Sequence, residues 1–293
     1  MSMGEPILNR RNILQLALAS SAVLLQGCSP LALINSWVPA GAYRAKTGIG
    51  YGPNVRHQLD IYSPAHAAAS APVIVFFYGG NWDSGDRADY LFVGAALAAK
   101  GYIAVLPDYR LYPEVRYPDF LVDSAQALRW VFDHIAEFGG DPQRVFLMGH
   151  SAGAYNAAML ALNPAYLRAV GVDPQRVRGL IGLAGPYDFL PLTGPVTKAV
   201  FGFPDTPIAT QPIQFASHAA PPALLVTGAR DDVVDPGNST RLGLRMRQHG
   251  VPARVIVYPA LGHRTLIGAL ATPLRGLVPV LDDVAGFVNT FSA

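Results

Sequence analysis

Two patterns alternate along the chain. Short runs of continuous apolar residues, rich in Val, Ile and aromatics and bounded by turn formers, give way to longer stretches in which apolar side chains recur every three or four positions. The short runs are HQLDIYS, PVIVFFY, YIAVLPD, RVFLMG, GLIGLAG, PALLVTG and ARVIVYP. Several lack polar alternation, as strands do when both faces are buried. Between them the periodicity predicts helices over Tyr90 to Lys100, stopped by Gly101, and over Asp119 to Phe138, opened by Pro118 and stopped by Gly139 and Gly140. Strands alternating with helices predict an α/β architecture: a mostly parallel central sheet with helices on both faces. Residues 186–220 break the alternation with prolines, glycines and the aromatics Tyr187, Phe189, Phe201, Phe203 and Phe215. A connection of that length inside a compact domain reads as a small cap over a pocket.

The amino terminus follows neither pattern. Arg10 and Arg11 precede an apolar stretch from Ile13 to Leu25, too short to span a bilayer but suited to a signal-peptide core. It ends in LLQGC, where Cys28 is the chain's single cysteine. This segment resembles the lipobox of bacterial lipoproteins, which implies lipidation of Cys28, an exported protein and a membrane anchor in the bacterial cell envelope. NRRNILQ also resembles a twin-arginine export signal. The expected organisation is a signal peptide over 1–27, a tether over 28–45 without clear period, and one catalytic domain over 46–293.

Composition narrows the partners. With 293 residues, 51% of them hydrophobic, the chain can bury a full core. Its formal net charge of +2 comes without a dense basic run, so nucleic acid is not an expected partner. Arg241, Arg245 and Arg247 are spaced like the solvated face of a helix ending at Gly250.

The candidate chemistry lies in FLMGHSAGAYNAAML, where a strand breaks at Ser151 between Gly149 and Gly153 and resumes as an alanine-rich helix. G-x-S-x-G arises by chance in roughly one chain in ten of this length, but a strand before and a helix after make it a turn that lifts the hydroxyl above the sheet. A Cβ two residues either side of the serine would collide there, which accounts for both glycines. A serine needs a base, and His263, in the loop after ARVIVYP, occupies the position where that base would fall. His150 is expected to point away at the turn. Asp231, Asp232 and Asp235 follow a predicted strand; Asp231 lies nearest its end and is the preferred acid, to orient the imidazole. Backbone donors for an oxyanion are expected from Ala152 and, where a strand ends in Gly79 and Gly80, from Gly80 and Asn81. No H-E-x-x-H or histidine–carboxylate cluster accompanies the aspartates, so neither metal nor cofactor is expected.

GHSAG, together with DYRLYPE at Asp108 to Glu114 and GGDPQRVFLMGHSAG, resembles the α/β-hydrolase superfamily from about Tyr51 to the end. The likeness is to hormone-sensitive-lipase-like and feruloyl-esterase-like esterases. It implies an α/β-hydrolase fold, a Ser151–Asp231–His263 triad, an oxyanion hole of Gly80, Asn81 and Ala152, and a pocket lined by Trp82, with Tyr187 of the cap also expected to bind substrate. Asp108 and Arg110 look structural by the same likeness. Where the family has H-G-G this chain has Tyr78-Gly79-Gly80, so a tyrosine is expected to brace the oxyanion loop. The implied function is a serine carboxylesterase acting on a small-molecule ester, of short acyl chain or aryl type, through an acyl-enzyme. An arylformamidase-type amide hydrolase and a non-catalytic binding lipoprotein are the alternatives.

Overall fold

A computed structural model describes residues 30–66, 70–276 and 278–292. The signal segment and Cys28 lie outside the described residues.

The seven predicted runs all form strands: β2 (Gln58–Pro64), β3 (Ala71–Phe77), β4 (Ile103–Pro107), β5 (Gly140–His150), β6 (Val177–Leu183), β7 (Ala223–Gly228) and β8 (Ala253–Tyr258). An eighth, β1 (Tyr43–Gly50), precedes them. Sheet order is β1-β2-β4-β3-β5-β6-β7-β8, with β1 and β2 antiparallel to their neighbours and the other pairs parallel. This is the α/β-hydrolase fold. Successive side chains of a strand point to opposite faces, and Val73 to Phe77 of β3 are all fully buried. Both faces of the sheet are therefore covered, as the unbroken apolar runs required.

The covering helices include α2 (Leu91–Ala99), α3 (Asp119–His134), α4 (Ala152–Leu162), α7 (Gly237–Gln248) and α9 (Val280–Phe291). Every residue of α4 is buried, which explains its nearly polar-free sequence AGAYNAAMLAL. The predicted helix over Asp119 to Phe138 ends as foreseen: a 3₁₀ turn over Ile135–Phe138 stops at Gly139, whose φ of 82° suits glycine. Short helices α5 (Pro164–Ala169), α6 (Pro195–Val200), in the cap, and α8 (His263–Gly268) complete the helices used below.

The expected tether over 28–45 is corrected in its described part. A helix, α1 (Pro30–Ser36), docks on the domain: the Asn35 side chain donates to the carbonyls of Ala88 and Asp89, both at 3.0 Å, and accepts from Phe92 N–H at 3.0 Å. Strand β1 follows at Tyr43. It lies on the sheet edge and is mostly exposed, so it carries no apolar alternation by which to be recognised.

Candidate active site

The carboxyl ends of four parallel strands converge at one edge of the sheet, where open α/β sheets bind ligands. Strand β5 delivers Ser151 in a conformation that L-residues rarely adopt, φ 56° and ψ −124°, and α4 begins at the next residue. The turn leaves no room for side chains beside it. A Cβ on Gly149 would stand 2.2 Å from Gly153 O, and one on Gly153 would stand 2.0 Å from Phe77 O. Backbone strain of about 1–3 kcal/mol persists only where the surroundings over-determine it, as these contacts do.

Strand β3 delivers the second component. Gly79 runs so close to the turn that a Cβ there would meet Ser151 Cβ at 2.9 Å and His150 O at 3.0 Å. Gly80, Asn81 and Trp82 then take positive φ values of 139°, 54° and 61°. Gly80 O accepts from Asp83 N–H at 3.1 Å and Ser84 N–H at 3.0 Å, closing the loop on itself. Ala152 N–H opens α4, where a helix has no carbonyl one turn back to accept it. The donors foreseen at Gly80, Asn81 and Ala152 thus belong to one loop and one helix end that meet at Ser151.

Strands β7 and β8 deliver an acid and a base. Their loops are clasped together: Arg230 N–H donates to Leu261 O at 2.9 Å and Ala229 N–H to Tyr258 O at 2.9 Å. Gly228 sits so tightly that a Cβ would stand 2.1 Å from Leu261 O. This clasp sets Asp231 Oδ2 2.9 Å from His263 Nδ1. The other oxygen of Asp231 accepts from Val233 N–H at 3.0 Å and Val234 N–H at 2.8 Å. Burial by itself would raise the Asp231 carboxyl, but the bond to His263 and these two amides outweigh it and hold the group below its ordinary range. Asp235 is engaged elsewhere, capping α7 through Gly237 N–H and pairing with Arg241.

His150 does not point away from the site, as expected, but inward. Its Nε2 lies 3.2 Å from His263 O, and the two rings are 4.7 Å apart. A carbonyl only accepts, so Nε2 carries the proton and the buried Nδ1, which has no partner, is the bare nitrogen. Burial, then the neighbouring His263, depresses its pKa to about 3. His150 is thus a neutral spacer joining the Ser151 turn to the segment that carries His263.

A cavity of about 720 Å3 opens onto Ser151 and Ala152 and is walled by Asn81, Trp82, Phe189, Leu190 and Leu192, with Asp188, Asp235, Asn238 and Arg241 on its polar side. Trp82 is only 2% exposed. Its indole N–H donates to Asn156 at 3.1 Å, and Phe201 and Tyr155 meet it edge-on at 4.8 and 5.2 Å. One apolar end of the cavity is therefore shut by an aromatic cluster. Tyr187, expected to touch substrate, does not line the cavity: it is fully buried, its hydroxyl set where a Cβ on Gly182 or Gly185 would stand. The small residues of GLIGLAG were the signal that a ring would enter there. Arg241 is exposed, as expected of a solvated helix face, and at the cavity wall it also bonds Asp188 at 2.6 Å and Asp235 at 3.0 Å. Arg245 and Arg247 are exposed.

Tyr78 braces the loop of Gly80, Asn81 and Trp82 from behind. It is fully buried, stacked on Tyr109 at 4.9 Å and on Tyr90 at 5.8 Å, and its hydroxyl accepts from Arg56 at 2.7 Å. Arg56 also donates to Gly85 O, beyond the loop. Asp108, held by Arg87, and Arg110, held by Asp123, are structural pairs. Among the described residues no cluster of metal-ligating side chains occurs.

The BD-FAE family model matches residues 59–246, well over half of the chain. Isoprenylcysteine alpha-carbonyl methylesterase ICME of Arabidopsis thaliana is 28% identical over 84% of this chain and 62% of its own. Esterase LipC of Mycobacterium tuberculosis is 30% identical over 63% of this chain and 50% of its own. The chain spans 58 to 66% of the length of the plant methylesterases it matches. Among solved structures, inhibited esterase B of Lactobacillus rhamnosis superposes with a TM-score of 0.75 at 20% identity, covering 97% of this chain and 95% of that one. A truncated carbohydrate esterase from gut microbiota gives a TM-score of 0.75 at 22% identity over 87% and 98%.

Proposed function

The chain belongs to the BD-FAE family, and from that premise we propose that it is a serine carboxylic ester hydrolase in which Ser151 attacks the ester carbonyl. The observation that carries this proposal is the Asp231–His263 pair at 2.9 Å, joined through His150 to the strained turn that holds Ser151. His263 takes the hydroxyl proton through Nε2, because Nδ1 is committed to Asp231, and returns it to the leaving alcohol. Asp231 holds the tautomer and stabilises the imidazolium without becoming protonated. Gly80, Asn81 and Ala152 N–H groups meet the tetrahedral oxyanion, each worth about 3 kcal/mol to the transition state. Water then releases the acyl-enzyme by the same proton relay.

The aromatic closure around Trp82 favours short acyl groups, while the polar wall at Asp188, Asn238 and Arg241 suits a leaving alcohol that carries polar groups. The curated relatives named above are esterases, which agrees with this reaction class. Cys28 is lipidated after export, which anchors the domain to a membrane of the bacterial cell envelope; the LLQGC segment supports this part.

Turnover of p-nitrophenyl acetate, a feruloyl ester and N-formylkynurenine by one preparation tests the reaction. The expected result is hydrolysis of the esters, lost by a factor of about 10⁶ in Ser151→Ala. Turnover of the formamide alone would replace the esterase assignment with an amidase, and turnover of none would replace it with a binding protein.

A further inference from the structure

The linker beside the proposed lipid anchor is too short to act as one. From Cys28 to the first residue of α1 the chain takes two steps, about 7 Å at full extension. From there α1 is fixed to the domain by the three hydrogen bonds of Asn35. A lipid on Cys28 therefore holds this face of the domain against the headgroups.

What α1 and the turn after it present on that face follows from their period. Leu31, Ile34 and Val38, at i, i+3 and i+7, pack inward against the core. Leu33 and Trp37, at i and i+4, point outward, 50% and 46% exposed. Tryptophan and leucine side by side are suited to the boundary between headgroups and acyl chains. No helix among the described residues is long and apolar enough to cross a membrane.

Resting on the proposed lipidation of Cys28, we infer that the outer face of α1 and its closing turn, with Leu33 and Trp37, seats in the headgroup region of the anchoring membrane. The catalytic domain is thereby docked in one orientation. Because Asn35 grips the carbonyls of Ala88 and Asp89, the docked helix abuts the 3₁₀ turn over Arg87–Tyr90 that follows the oxyanion loop.

Two measurements separate this inference from the lipidation beneath it. Mass analysis of the amino-terminal peptide of membrane-extracted protein reads whether Cys28 carries lipid; an unmodified thiol overturns the lipoprotein reading. Docking is read independently, with a chain starting at Cys28 that keeps every described residue. Its single thiol is coupled to a maleimide lipid in phosphatidylcholine vesicles, with and without brominated acyl chains. The expected result is bromine quenching of tryptophan emission that disappears in Trp37→Phe and falls in Leu33→Asp, with p-nitrophenyl acetate turnover unchanged in both. Equal emission from brominated and plain vesicles overturns the docking. So does a dimer in vesicle-free solution that buries Trp37, because the face then belongs to a second copy of the chain.

Discussion

At the residue scale, two buried groups carry the electrostatics of the site. Asp231 is held ionised below the ordinary carboxylate range, so it remains a counter-charge for His263 throughout neutral and mildly acid conditions. Asp231→Asn keeps the shape but presents the wrong donor to Nδ1, and kcat is expected to fall by about 10⁴, measured with p-nitrophenyl acetate. His150 works in the opposite sense. Its folded pKa of about 3 lies below the value of 6.5 it takes when exposed. Between those values the unfolded chain binds a proton that the folded chain refuses. Stability is therefore complete above about pH 6.5 and declines as pH falls, with a limiting slope of about 1.4 kcal/mol per pH unit from this one group. The contribution of Asp231 is lost only at lower pH, as its own depressed pKa is crossed. His150→Leu should lower stability at pH 7 by removing the bond to His263 O, yet flatten its decline from pH 7 to pH 4, read by urea unfolding at each pH. Position 150 could be named from the sequence but not its direction, because the strained turn decides which way that ring points.

At the scale of elements, the turn between β5 and α4 is the most constrained feature. Gly153→Ala would drive a methyl group into Phe77 O on the neighbouring strand, and relaxation must move β3 or α4. The expected cost is about 3 kcal/mol or more, seen as a lowered urea midpoint together with lost activity. Tyr78→Phe tests the brace behind the proposed oxyanion loop. It removes the acceptor for Arg56 while keeping the stacked ring, so stability should fall by about 2 kcal/mol with kcat changed only a few-fold. A large loss of kcat would instead give the hydroxyl a part in the chemistry. These two elements were legible beforehand because glycine at a forbidden contact and a buried parallel strand both leave compositional marks. Strand β1 left none, since an exposed edge strand has no apolar face to repeat. Tyr187 was misplaced for a related reason: an aromatic in a cap sequence can face the cavity or the sheet, and only the space above Gly182 and Gly185 decides.

At the scale of the whole molecule, the strand order brings the ends of β3, β5, β7 and β8 to one edge, so residues 80, 151, 231 and 263 all lie at that edge although they are far apart in the chain. The parallel core was readable from alternation of strands and helices. The cap was readable only as an interruption; that its Asp188 joins α7 through Arg241 depends on tertiary placement no local pattern encodes. The amino-terminal segment illustrates the same limit, for its prolines, glycines and serines suggested a tether where α1 and the turn after it in fact pack Leu31, Ile34 and Val38 on the core and are held by Asn35. What the molecule is proposed to do still rests on one hydroxyl. Treat the protein with a fluorophosphonate, digest it and map the adduct by mass. The expected result is a single phosphonylated serine at position 151, with labelling abolished in Ser151→Ala and in His263→Ala. An adduct on another residue, or labelling that persists in Ser151→Ala, would contradict the assignment.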